Sequence, residues 1–173
     1  VLRSMRRPST VRDTVQLIKS KLPEACIRTT FIVGFPGETD EDFDQLYDFI
    51  EESRFDRVGV FTYAQEQGTP AAEFEDQVPE KLKEERRDKL MRLQQQISLE
   101  KNQDMLGREI KVLVEGMEEL RVSCRSFRDA PEIDGQVYID VDINDISPAI
   151  GEFVTVKITD CDEYDLVGEL IYH

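Results

Sequence analysis

The sequence predicts an α/β region followed by an all-β region. Three observations point to this. The first hundred residues alternate helical periodicity with short β-branched runs, whereas the remainder reads as short strands broken by Gly, Pro, Asn and Asp. The charge shifts at the same place: residues 1–103 carry 16 bases and 20 acids, and residues 104–173 carry 6 bases and 17 acids. Two domains are therefore expected, 1–103 and 104–173.

Ser9 or Thr10 is placed to cap a first helix whose apolar positions are Val11, Val15, Ile18 and Leu22, and Pro23 ends it. CIRTTFIV (26–33) reads as a strand because it is rich in β-branched residues. GFPG (34–37) is a turn. Thr39 with Asp42 resembles a capping box, and the helix after it carries Phe43, Leu46, Tyr47 and Ile50 on one face. RVGVFTY (57–63) is a second strand. Helix, strand, helix, strand implies parallel strands covered by helices. Residues 64–78 form a loop, and Pro79 then opens a long helix, about 80–106, with Leu82, Leu90, Leu93, Ile97 and Met105 on its apolar side and Gly107 as its stop.

Five short strands follow at 109–116, 122–127, 136–141, 152–160 and 164–171, spacings that suggest a small antiparallel barrel.

The whole chain has 173 residues and a formal net charge of −15, a poor match to phosphate and a good one to a basic partner or none. No run approaches the roughly 18 apolar residues of a membrane span, and no signal peptide is visible. Val1 is not an initiator Met, which suggests a piece of a longer chain. The three cysteines, Cys26, Cys124 and Cys161, are too sparse for a disulfide framework and fit a reducing, cytoplasmic compartment. The single His, His173, excludes Ser-His and Cys-His catalysis and a His/Cys zinc site within these residues. No catalytic acid, base or metal ligand set is assigned.

The strand–GFPGET–helix segment has the form of a site for a phosphate or carboxylate, since free N–H groups gather where a Gly turn opens a helix. Glu38, Asp40, Glu41 and Asp42 would repel such an anion, and an ordinary connecting loop is the alternative. FTYAQEQGTPAA (61–72) leaves the second strand beside that turn, either as part of one pocket or as a solvated loop. EERRDK (84–89) reads as a solvated helix face with intrahelical pairs. The acids of the second half (Asp129, Glu132, Asp134, Asp140, Asp142, Asp145, Asp160, Asp162, Glu163 and Asp165) would repel nucleic acid and steer in a basic protein.

MRRPST, RTTFIVGFPGETDEDF, FDRVGVFTYAQEQGTPAA and VPEKLKEERRDKLMRLQQQISLEKN resemble the later half of the radical S-adenosylmethionine domain of the methylthiotransferases. CRSFRDAPEIDGQVYI and GEFVTVKITDCDEYDLVGEL resemble the TRAM domain of the same enzymes, an OB-like barrel. DAPEIDG (129–135) is similar to the branch that modifies a ribosomal protein, the RimO-type aspartate methylthiotransferases.

This resemblance implies a partial (βα) radical-SAM barrel followed by a five-stranded antiparallel TRAM barrel. It also implies S-adenosylmethionine and two 4Fe-4S clusters as cofactors, with methylthiolation of the β-carbon of an aspartate in ribosomal protein S-twelve as the activity. The CxxxCxxC cluster motif is absent, so its ligands are expected upstream and this piece alone is expected to be inactive. By the same resemblance Ile32, Gly34, Pro36 and Gly37 lie near the adenine and methionine moieties, and Phe61 and Tyr63 flank the adenine. Arg7 corresponds to an Arg of the family's MxR segment. Those ten acids of the second half would hold the basic ribosomal protein, with no membrane partner and no direct nucleic-acid binding. Two other readings stand beside this one: a transfer-RNA methylthiotransferase, which shares the motifs of 1–103, and a non-catalytic binding module.

Overall fold

A computed structural model describes residues 8–118, 120–131, 133–141 and 148–171. The chain divides into two compact units, Val1–Ile97 and Ser98–His173.

In the first unit, helix α1 (Pro8–Lys21) begins at a proline, as suits a first turn. Ser9 and Thr10 therefore lie inside the helix and not at its cap. Val15 is buried, but Leu22 falls past the last turn and is exposed. Strand β1 (Arg28–Val33) pairs in parallel with β2 (Arg57–Thr62), with Ile32 opposite Phe61. Between them runs α2 (Asp40–Ser53), which opens with a complete capping box: Thr39 Oγ1 accepts from Asp42 N at 3.1 Å, and Asp42 Oδ2 accepts from Thr39 N at 3.0 Å. Phe43, Leu46, Phe49 and Ile50 form its buried face, with Phe49 taking the place expected for the half-buried Tyr47. Phe31, Phe49 and Phe55 meet edge-on or tilted, with centroids 5.5 to 6.5 Å apart. A short 3₁₀ turn, Pro70–Glu73, sits in the long loop before α3 (Glu80–Gln103).

Helix α3 buries Lys83, Arg86, Leu90, Leu93 and Ile97 in sequence. That is one 3–4 spaced stripe, apolar at its C-terminal half and cationic at its N-terminal half. The reading of 84–89 as a solvated face is thus corrected at Arg86, which is 4% exposed. The helix also stops earlier than expected, at Gln103.

The second unit is a closed barrel of β3 (Glu109–Glu118), β4 (Arg121–Arg125), β5 (Val137–Asp140), β6 (Phe153–Cys161) and β7 (Leu166–Leu170), in the order β3-β4-β5-β7-β6. The expectation of a wholly antiparallel barrel fails at one seam. β7 inserts between β5 and β6 and runs parallel to β5, with Val137 opposite Leu166. The other pairings are antiparallel. Inward residues alternate along the strands as a pleated barrel requires. Ile110, Val112, Val114, Val122, Cys124, Val137, Ile139, Val156, Ile158 and Leu166 fill the interior with Met105.

Candidate functional site

The first unit gathers its candidate residues at the C-terminal ends of β1 and β2. Parallel strands are in register there, so Ile32 and Phe61 stand side by side. They are 55% and 63% exposed, although both are large and apolar. Val33, one residue on, is fully buried on the other face. Tyr63 follows β2: its N–H donates to Val33 O at 2.9 Å, and its ring packs edge-on against Phe35 at 5.2 Å. The Tyr63 hydroxyl is buried and has no hydrogen-bond partner among the described residues.

Gly34 adopts φ +74°, open to glycine but strained for other residues. A Cβ there would also lie 2.2 Å from Lys83 Cγ. Three amides of this turn are already used. Gly34 N–H donates to both carboxylate oxygens of Glu38 at 3.0 Å, Gly37 N–H to Asp76 O at 2.8 Å, and Glu38 N–H to Phe35 O at 2.9 Å. Glu38 is therefore not an outward acid: its carboxylate fills the turn from within. Arg86 Nη1 donates to Glu38 Oε1 at 2.7 Å and Arg86 Nη2 to Asp40 Oδ1 at 2.6 Å. Lys83 Nζ donates to Tyr63 O at 2.9 Å and to Glu80 Oε2 at 3.0 Å. Pro36 is buried and Gly37 is exposed. Arg7 lies outside the described residues.

Sequence reasoning missed Lys83 and Arg86. The signal was present, because extending the Leu90–Leu93–Ile97 stripe backwards lands on both. Two surface grooves of this unit, lined by Tyr47, Lys89 and Arg92 and by Phe43, Leu82 and Arg86, include none of the cofactor candidates.

The acids of the barrel are more committed than their number suggests. Asp129 Oδ2 accepts from the Ser126 hydroxyl and amide, and Asp134 Oδ2 accepts from Ala130 N at 2.8 Å. Asp162 Oδ1 accepts from the amides of Tyr164 and Asp165, both at 2.7 Å, and Asp165 Oδ1 from Gln136 N at 2.8 Å. Asp160 Oδ1 accepts from Cys161 N at 2.8 Å. Asp140 pairs with Arg121 at 2.8 Å, which holds the Arg121 proton more tightly than usual through that hydrogen bond and the carboxylate charge. Glu163 is exposed. Glu132, Asp142 and Asp145 lie outside the described residues.

Two loops converge on Asn102, which is fully buried: its Nδ2 donates to Asp162 O at 2.9 Å and its Oδ1 accepts from Arg128 Nη1 at 3.2 Å. Two further bases of the barrel are similarly engaged: Arg125 pairs with Glu115 at 2.7 Å, and Lys111 lies 4.9 Å from the centre of the Phe153 ring. Phe127, Ile133 and Tyr164 are exposed on the same loops as the acids. Burial and the nearby Glu115 push the Cys124 thiol up to about 11, and burial raises Cys161 as well. Among the described residues no group of Cys, His, Asp and Glu could hold a metal, and no helix is long and apolar enough to cross a membrane.

A closed barrel with acidic, tightly tied loops, preceded by a parallel βα pair, sets the class. Residues 106–171, most of the second unit, match the TRAM domain family. Nearly the whole chain is similar to the C-terminal part of proteins named ribosomal protein uS12 methylthiotransferase RimO. The chain is 49% identical to that of Syntrophotalea carbinolica over 94% of its own length and 35% of the relative's. It is 46% identical to that of Geobacter sulfurreducens over 99% of its length and 39% of the relative's. The protein of Salmonella arizonae is 49% identical, again over 99% of this chain and 39% of its own length. The chain thus spans somewhat over a third of the relatives it matches.

Proposed function

We propose that this chain is the C-terminal part of a radical S-adenosylmethionine methylthiotransferase that modifies an aspartate of ribosomal protein uS12. One observation carries the reading: identity of 46–49% runs through both units to proteins with that name. Residues 1–103 then belong to a partial βα barrel, and 104–173 to the substrate-holding barrel.

The strand ends suit the adenosyl part of the cofactor. Ile32 and Phe61 make an exposed apolar wall, and the hydroxyl of Tyr63, two residues on from Phe61, is buried with no hydrogen-bond partner among the described residues. Gly34, Pro36 and Gly37 shape the adjoining turn, and Arg7 extends the same candidate set. S-adenosylmethionine supplies the radical chemistry when bound, and this chain's residues bind and orient it. The 4Fe-4S clusters do not fit this chain, whose described residues offer no ligand set for one, and no step is assigned to it through them.

The acidic barrel suits a basic protein. Its loops carry an excess of carboxylates with exposed Phe127, Ile133 and Tyr164 among them, while Arg121, Arg125 and Arg128 are engaged within the protein. Phosphate would meet repulsion there, so direct nucleic-acid binding is not expected. Such an enzyme works in the cytoplasm, where ribosomal proteins are found.

The test is to supply the full-length protein, with clusters reconstituted, with S-adenosylmethionine, a reductant and either uS12 or transfer RNA. A methylthio group on one aspartate of uS12 is expected by peptide mass spectrometry. Modification of the RNA alone, or of neither, overturns the reading.

A further inference from the structure

We propose that Lys83 and Arg86 are positioning residues that fix both strand ends of the S-adenosylmethionine wall. This rests on the function proposed above. The two cations lie one turn apart on α3 and are 5% and 4% exposed. Each holds a different strand end. Arg86 holds Glu38, whose carboxylate holds the Gly34 amide just after β1. Lys83 runs its stem beneath Gly34 and places its ammonium on the Tyr63 carbonyl just after β2, 5.4 Å from the centre of the Tyr63 ring. Ile32 lies two residues before Gly34 and Phe61 two before Tyr63, so the apolar pair is fixed by these two anchors.

A cation buried only for stability would be an expensive choice. An apolar residue in its place is often as good or better, whereas a backbone carbonyl held by an ammonium is fixed in direction. Neither Lys83 nor Arg86 lines the exposed wall. Both act through Glu38, Gly34 and Tyr63.

The discriminating variant is Lys83→Met. It keeps most of the stem under Gly34 and deletes only the head. In the full-length reconstituted protein, equilibrium dialysis with S-adenosylmethionine should show about five- to tenfold weaker binding, since small displacements of an orienting wall are costly. The melting temperature should hold, the KM for S-adenosylmethionine should rise, and the KM for uS12 should stay. Arg86→Lys, which keeps the charge but loses the forked geometry, should speed amide exchange at Gly34 and weaken cofactor binding by a smaller factor. It also carries the test if Lys83→Met does not fold. Wild-type protein that binds S-adenosylmethionine alongside variants that bind it equally well overturns this inference and leaves the function standing. Wild-type protein that does not bind it overturns the function and this inference with it.

Discussion

Replacing Arg86 by Leu should cost the first unit far more than a surface ion pair would. The guanidinium makes two charged contacts of different kinds. Asp40 is 89% exposed at its side chain, so that arm contributes about 0–1 kcal/mol and is screened by salt. The Glu38 side chain is 0% exposed, so removing Arg86 takes the charged partner from a buried carboxylate that also accepts from the Gly34 amide. Breaking a buried pair from one side costs about 3–5 kcal/mol. Adding Glu38→Gln to that variant removes the buried charge and keeps a carbonyl acceptor for Gly34 N–H. The double variant should therefore be more stable than Arg86→Leu alone, by about 2 kcal/mol, a coupling of the size neighbours in one network show. The assay is native-state hydrogen exchange at the β1 amides, which reports opening of this unit locally. A single-variant cost under about 1 kcal/mol would contradict the burial argument. Costs that simply add in the double variant would contradict the pairing.

Three further outcomes are expected. Asn102→Ala leaves the Asp162 carbonyl and the Arg128 fork without their buried partner, and should destabilise the barrel by about 2 kcal/mol in urea unfolding; a change within about 0.5 kcal/mol would place Asn102 among ordinary surface residues. Gly135→Ala puts a Cβ 1.8 Å from the Tyr164 carbonyl oxygen, backbone against backbone, and should cost about 1–3 kcal/mol with the shift seen at the amides of 164 and 165; an unshifted spectrum would refute the contact. Cys124 should resist thiol reagents at pH 8, because burial has raised its thiol to about 11. The folded state keeps that proton where the unfolded thiol, near 9, has lost it, so this contribution to stability is whole below pH 9 and fades towards pH 11; rapid labelling of the folded protein at pH 8 would contradict it.

The elements that were legible in the sequence share one property: their signal is local. The capping box of Thr39 and Asp42 needs only three residues, and the strand at 28–33 announces itself by β-branching. The barrel strands alternate because the pleat alternates. What escaped was decided at long range. Arg86 meets a carboxylate forty-eight residues away in sequence, and only the stripe continued back from Leu90, not EERRDK itself, points it inward. The parallel seam between β5 and β7 depends on the order in which the barrel closes, not on either strand's composition. The site followed the same division. The strand ends that carry Ile32 and Phe61 could be placed from the helix–strand–helix–strand order, whereas the buried Lys83 and Arg86 were harder to read, because charged residues on a helix are ordinarily solvated.

The acids of the barrel pose the sharpest problem, because a carboxylate that ties a turn and a carboxylate that attracts a substrate look alike in a sequence. Charge reversal confuses the two: Asp162→Lys would remove an acceptor for two amides as well as a charge. Asn keeps the Oδ1 acceptor and deletes only the charge. The combined variant Asp129→Asn, Asp134→Asn, Asp162→Asn and Asp165→Asn should therefore leave the loops intact while lowering their negative potential. Asp162 is exposed and Asp129, Asp134 and Asp165 are half-buried, so each charge contributes about 1 kcal/mol or less, single variants should change uS12 affinity less than about fivefold, and the set should lose more at low salt than at high salt. Binding by calorimetry at two ionic strengths, with circular dichroism as the fold control, separates the cases. Full affinity with unchanged salt dependence would mean that these acids serve the loops alone and would overturn their proposed part in holding uS12.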